Sequence, residues 1–254
     1  MHTLTLARKD WMILFRSPLA YIVLGCFLFI SGYFFVSLVG QFQLFSLQVM
    51  QNPGVENFTP QEWVIRPFLQ NAGVILLFFI PLLTMRAFSE EKRMGTFELL
   101  LSYPVQEYQI VLGKLLAVAG FLTIALVLSG VGPAFLFVYA QPELLPTVTG
   151  YFGLLLLALS FASIGIFISS LTENQIVSAT LSFGALLLLW LLSWVKELVP
   201  EFFKPVVEAL SLLSHFDSFT KGVLSVPDLT YYFTFILAFV GLTMLSLENQ
   251  RWRA

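Results

Sequence analysis

Residues 85–109, MRAFSEEKRMGTFELLLSYPVQEYQ, form a charged island between two long apolar runs. Seven charged side chains fall within it: Arg86, Glu90, Glu91, Lys92, Arg93, Glu98 and Glu107. The flanking runs have the length and composition of membrane-buried helices, so the island must lie in water. It is not built as a floppy linker. Gly95 and Thr96 read as a helix break followed by an N-cap. Glu98 then falls in the first turn of a new helix, where a carboxylate suits the positive end of the dipole. Phe97, Leu100 and Leu101 share one face of that helix. Pro104 pushes Tyr103 out of the helical region and ends it. So short a helix is unstable alone in water and needs a surface to dock on. Two surfaces are open to it: the chain's own membrane domain, or another subunit.

The rest of the chain supports the membrane reading. Its 254 residues are 58% hydrophobic and only 11% charged, with a mean hydropathy of +0.87. Soluble domains carry roughly 25% charged residues. The formal charge of −2 says nothing about partners. The single cysteine, Cys26, excludes a disulfide within the chain and a cysteine-based metal site. Arg8, Lys9 and Arg16 precede an apolar stretch too long for the core of a cleavable signal. No phosphate-binding glycine loop and no nucleic-acid motif appears.

Uncharged stretches place six spans, at about Leu19–Val39, Phe68–Met85, Leu115–Phe137, Tyr151–Leu171, Ile176–Trp194 and Leu229–Leu247. The expected fold is an all-α integral membrane domain over residues 1–254. Before the first span, Met1–Arg16 reads as an interfacial helix, with Leu4, Ala7, Trp11, Leu14 and Phe15 opposite Lys9, Asp10 and Arg16. Pro81 is expected to kink the second span. With both termini in the cytoplasm, nine of the lysines and arginines lie inside and Arg66, Lys196, Lys204 and Lys221 lie outside, which favours that orientation. Gly40–Pro67 then reads as a small outer loop. Lys196–Asp228 is apolar but broken by Pro200, Pro205 and Pro227, and reads as short helices dipping into the outer leaflet.

No span carries a carboxylate, lysine, arginine or histidine near its middle, which argues against a proton or ion pathway. Intramembrane hydrolysis lacks its parts. His215 and Asp217 suggest a dyad, but a turn cap near the membrane surface is the plainer reading. Ala158, Ala162, Gly165 and Ser169 form one small-residue stripe on span four, and Ser178, Ser182 and Ala185 form one on span five. Close helix packing is the default reading of such stripes, and a substrate-lining wall is the minority one.

Three stretches together resemble the ABC-2 family of ABC transporter permeases, most strongly the gliding-motility type, with a looser likeness to permeases tied to copper-enzyme maturation. They are Ile80–Arg86 running through Glu90-Glu91-Lys92, Gly95-Thr96, Glu98–Leu101 and Pro104-Val105 to Ile110–Lys114; then Ser169–Val177; then His215–Phe219 with Lys221-Gly222-Val223 and Leu247-Glu248. The resemblance implies a cytoplasmic coupling helix between spans two and three, involving Glu90, Glu91, Lys92, Arg93, Gly95, Thr96, Phe97, Glu98, Leu100, Leu101 and Pro104. It also implies short outer helices between spans five and six, with His215, Asp217 and Lys221 as an outer structural motif. The chain would be a non-catalytic permease subunit of an exporter in the bacterial inner membrane, binding no cofactor itself. ATP and magnesium would sit on a separate ABC ATPase, present in two copies beside a second permease copy. An auxiliary envelope protein is a further partner to expect, and nucleic acid is not. The competing reading is a membrane anchor that assembles a soluble or envelope complex without transporting anything.

Overall fold

A computed structural model describes residues 2–51, 59–97, 105–140, 142–195, 200–202 and 204–251. Among these residues there are helices and turns and no strand. Helix α1 covers His2–Arg16 and α2 covers Pro18–Gln51. A π-helical turn, Gln61–Ile65, leads into α3, Arg66–Thr84, and a one-turn helix α4 follows at Ser89–Arg93. Then come α5, Glu107–Ser129, and α6, Val131–Tyr139. The longest of the later helices is α7, Leu144–Leu171, followed by α8, Gln175–Val195. Two short helices, α9 (Lys204–Leu210) and α10 (Leu212–Thr220), precede α11, Val226–Arg251.

Six helical stretches among the described residues are long and apolar enough to cross a bilayer: Pro18–Leu47, Gln61–Arg93, Glu107–Tyr139, Leu144–Leu171, Gln175–Ser193 and Val226–Arg251. They correspond one to one with the six expected spans. Over an 18-residue window, 61%, 56% and 72% of the residues of spans two, three and four are buried, against 17% for spans one, five and six. The first group is therefore the core, with α7 at its centre, and the others lie against it.

The boundaries depart from expectation in two places. Helix α2 continues to Gln51, about 51 Å at 1.5 Å per residue, so the proposed outer loop from Gly40 is largely helix. Nothing between Leu19 and Gln51 breaks a helix; the first strong breakers are Pro53 and Gly54. Span three begins eight residues before Leu115, at Glu107, where the Gln109 side chain reaches back to the Gln106 N–H at 3.4 Å. Lys114 is thereby drawn two turns into the helix and is only 6% exposed.

Close helix contacts rest on small residues. On α5, Gly113, Ala117 and Gly120 make a stripe that receives α1. A Cβ on Gly113 would meet Leu6 Cβ at 3.1 Å, and one on Gly120 would lie 1.7 Å from the Trp11 ring. Leu6, Leu14 and Phe15 pack on the core, whereas Leu4, expected on the same face, is exposed. On α7, Ala158, Ala162, Gly165 and Ser169 are turned inward, and Thr84 of α3 sits directly on Gly165. Ser178 and Ser182 of α8 are fully buried too. Both expected stripes are thus consumed inside one chain.

Helix α10 differs from a leaflet-dipping segment. Leu212, Phe216 and Phe219 are buried at 1% exposure or less, with Phe219 lying against Gly153. The Tyr232 hydroxyl donates to Leu212 O at 2.7 Å, and Thr149 Oγ1 donates to Phe219 O at 3.1 Å. The helix ends at Gly222, whose φ of +83° suits glycine. Its apolar face is covered by the spans, not by lipid.

Gly165→Ala should force α3 and α7 apart, because the new methyl would fall 2.0 Å from Thr84 Oγ1. Overpacking of this kind costs about 1–3 kcal/mol. Gly184→Ala, with nothing within 4 Å, is the matched control. Thermal unfolding of the purified proteins should show a clear loss for the first and none for the second; equal stability would contradict this packing.

Candidate functional site

The charged island folds as a knot tied to three spans. Helix α3 ends at Thr84, and the chain turns through Met85–Phe88. The Ser169 hydroxyl of α7 closes that turn: it accepts from the Phe88 and Ser89 N–H groups at 3.0 and 3.1 Å and donates to Met85 O at 3.1 Å. Ser89 also donates to the Met85 carbonyl. These bonds satisfy backbone groups that the end of α3 and the start of α4 would leave orphaned in a buried place.

Phe88, with no exposed surface, is the apolar anchor of the turn. Lys114 Nζ lies over its ring, 4.8 Å from the centroid. The same ammonium pairs with Glu91 Oε1 at 3.0 Å and with Asp10 Oδ2 at 3.7 Å. Lys9 completes the cluster, 3.4 Å from Glu91 and 3.5 Å from Asp10. Burial pulls the Lys9 pKa down, but the two carboxylates outweigh it and hold the pKa above its ordinary value. Two cations and two anions from α1, α4 and α5 thus neutralise one another. Charges taken out of water require that kind of pairing.

The rest of α4 is also engaged. Lys92 Nζ donates to the Ser170 carbonyl at the end of α7. Gln250 Nε2 of α11 donates to the same oxygen at 3.0 Å, and Ser170 and Ser246 hydroxyls meet at 3.2 Å. Arg251 pairs with Glu107 at 2.7 Å. Beyond α4, Gly95 has a φ of +67°. Its N–H reaches Lys92 O at 3.1 Å, and the Thr96 N–H reaches Glu91 O at 3.0 Å. This is a Schellman closure of α4 on a left-handed residue. The Thr96 hydroxyl is turned back to Glu91 O as well.

Of the coupling residues expected from sequence, Glu91 and Lys92 are bound inward, Glu90 is half-buried, and Arg93, Gly95 and Thr96 are exposed. Phe97 is only 7% exposed, edge-on to Phe88 at 6.4 Å with Lys92 Nζ 5.2 Å from its ring. It is turned toward the chain's own membrane domain. Glu98, Leu100, Leu101 and Pro104 lie outside the described residues. Sequence reasoning missed Asp10, Phe88 and Lys114 as members of this site. Its only signal for them was the run of charges on α1 and the lone lysine opening an apolar run.

At the opposite end of the bundle His215 and Asp217 do not form a dyad. Two residues apart on a helix, they point in different directions. His215 Nδ1 meets Asp228 Oδ1 at 2.6 Å and its ring stacks on Tyr231. Asp217 pairs with Arg66 at 2.8 Å and with Lys221, four residues on, at 2.7 Å. Burial pushes its carboxyl up, but these two cations prevail and hold its pKa below the ordinary value. The pairs therefore contribute stability at neutral pH and lose it as the pH falls through that depressed pKa.

Lys114→Met should leave Glu91 and Asp10 short of a cation in a buried place and cost about 3–5 kcal/mol. Adding Glu91→Gln should recover part of that loss. Chemical unfolding of the two variants tests it, and a double variant less stable than Lys114→Met would contradict the pairing.

No curated protein matches the chain. The family model described as "ABC-2 family transporter protein" matches residues 4–247. That match spans α1, all six membrane stretches and the knot between spans two and three, and the chain belongs to the ABC-2 family of transporter proteins.

Proposed function

We propose that this chain is the non-catalytic permease subunit of an ABC exporter. In this reading the α4 end faces the cytoplasm and docks a separate ATPase that holds the ATP and magnesium. Two permease copies and two ATPase copies complete the transporter in a bacterial inner membrane. Family membership supports the permease role. The observation that carries the coupling role is the knot itself. A push on α4 meets the ends of spans two, three and four at once, through Ser169, Glu91 and Lys114. The gliding-motility type is the subtype that the three sequence stretches favour.

The fold alters the division of labour within the segment. Phe97 becomes the tether that holds the coupling segment to Phe88. Arg93, Met94 and Thr96, which are exposed, become the face offered to the ATPase, and the helical spacing in the sequence adds Leu100 and Leu101 to it. Met94, 69% exposed, is an apolar residue in reach of a partner. The second permease copy has to pair through outward faces of the spans, since the small-residue stripes of α7 and α8 are used internally.

Leu100→Ala with Leu101→Ala should weaken ATPase docking, because each buried leucine contributes about 1.5–3 kcal/mol. Phe97→Ala should leave the ATPase bound while uncoupling hydrolysis from transport. Gly95→Pro should do the same, since proline fixes φ near −65° and lacks the N–H that reaches Lys92 O. Co-purification followed by ATPase and transport assays reads these effects. Wild-type docking by the double leucine variant would sink the assignment of that face. In a Cys26→Ser background, cysteines at Glu143 and Lys204 should label from outside intact cells and one at Arg93 should not. Labelling of Arg93 from outside would reverse the orientation and remove the coupling role.

A further inference from the structure

Beside the knot, α1, the start of α2, the end of α3, α4 and α5 line an open crevice of about 570 Å³. That is within the ordinary range for small-ligand sites. Its inner wall is apolar, with Leu14, Leu19, Ala20, Leu83 and Val118. Its mouth is charged. Lys9 and Lys114 are balanced by Asp10 and Glu91. Arg16, Arg86 and Glu90 remain, and they leave one positive charge over.

Arg86 is poorly satisfied. Its Nη1 donates to the neutral Ser17 hydroxyl at 3.1 Å, and its Nε is buried with no partner. Arg16 is exposed at the same mouth and forms no ion pair with a described residue. A buried guanidinium N–H without an acceptor is costly, and guanidinium groups match phosphate oxygens well. The occupant must therefore bring one negative charge, oxygen acceptors and an apolar tail.

We propose that this cavity seats the phosphodiester headgroup of an anionic phospholipid, held by Arg16 and Arg86, with the start of an acyl chain along Leu14, Leu19 and Leu83. Glu90 restricts the occupant to a single negative charge, which favours a diester over a dianionic phosphate. The bound lipid would fill the crevice between α1 and the knot, and would fix α1 against the end of span two. The proposal rests on the bundle crossing a bilayer. It does not depend on ATP coupling, so loss of ATPase docking would leave it standing.

The test uses the full chain in detergent, titrated with dioleoyl phosphatidylglycerol, dioleoyl phosphatidylcholine or inorganic phosphate. Bound lipid is counted by native mass spectrometry, and protection is followed by thermal unfolding. Phosphatidylglycerol should bind roughly tenfold more tightly than phosphatidylcholine, as expected for charge-assisted hydrogen bonds. Arg86→Gln should lose that preference and Arg86→Lys should keep part of it. Arg16→Gln, an exposed change with little effect on folding, should lower it on its own. Equal binding of the two lipids, equal protection by inorganic phosphate, or an undiminished preference in Arg16→Gln would overturn the proposal.

Discussion

A buried ammonium group organises the end of this molecule where the charged island lies. Lys114 sits two turns inside a membrane helix, which is tolerable only because Glu91 and Asp10 come to it from two other helices. Each element gains a fixed position from that arrangement. Helix α1 is held against α5 by the charge cluster and by Trp11 on Gly120. Helix α4 is held by Glu91 on one side and by Lys92 on the carbonyl of Ser170 on the other. The Phe88 ring beneath the ammonium adds an apolar floor. Removal of any one partner would leave charge stranded in a place water reaches poorly.

That cluster explains why the charged island can be both polar and rigid. Its charges are divided between those spent inward and those left outward. Glu91 and Lys92 are spent on the membrane helices, while Arg93 points away. Ser169 adds three hydrogen bonds from a residue with no charge at all. A loop that only joined two spans would have no use for so many ties to a third. These ties are the basis of the coupling role proposed above.

Much of this was legible in the sequence, because hydropathy and helix breakers act locally. All six spans, the break at Gly95 and the short helices after span five follow from such local signals. What was not legible depends on tertiary pairing. Counting uncharged residues ends a span at any charge and so leaves Lys114 outside span three, whereas Glu91 and Asp10 hold it inside. The stripe of Gly113, Ala117 and Gly120 faces α1, and the pattern of α1 reads as a helix on the membrane surface, so nothing local points to their contact. Phe97 shares a helical spacing with Leu100 and Leu101, but spacing cannot say which of the two open surfaces the face meets. His215 and Asp217 are close in the sequence, yet their partners Asp228 and Arg66 are set by the tertiary fold.

The central claim is that α4 and the end of α7 move as one body, so that force on the island reaches the membrane core. Spin labels at Met94 and Leu171, both exposed, report the distance between the two elements directly. Double electron–electron resonance on the assembled transporter, without nucleotide and with ATP, should give the same single narrow distance in both states. A second distance, or a shift between the two states, would mean that the island moves independently of the helix it is tied to, and would contradict the account.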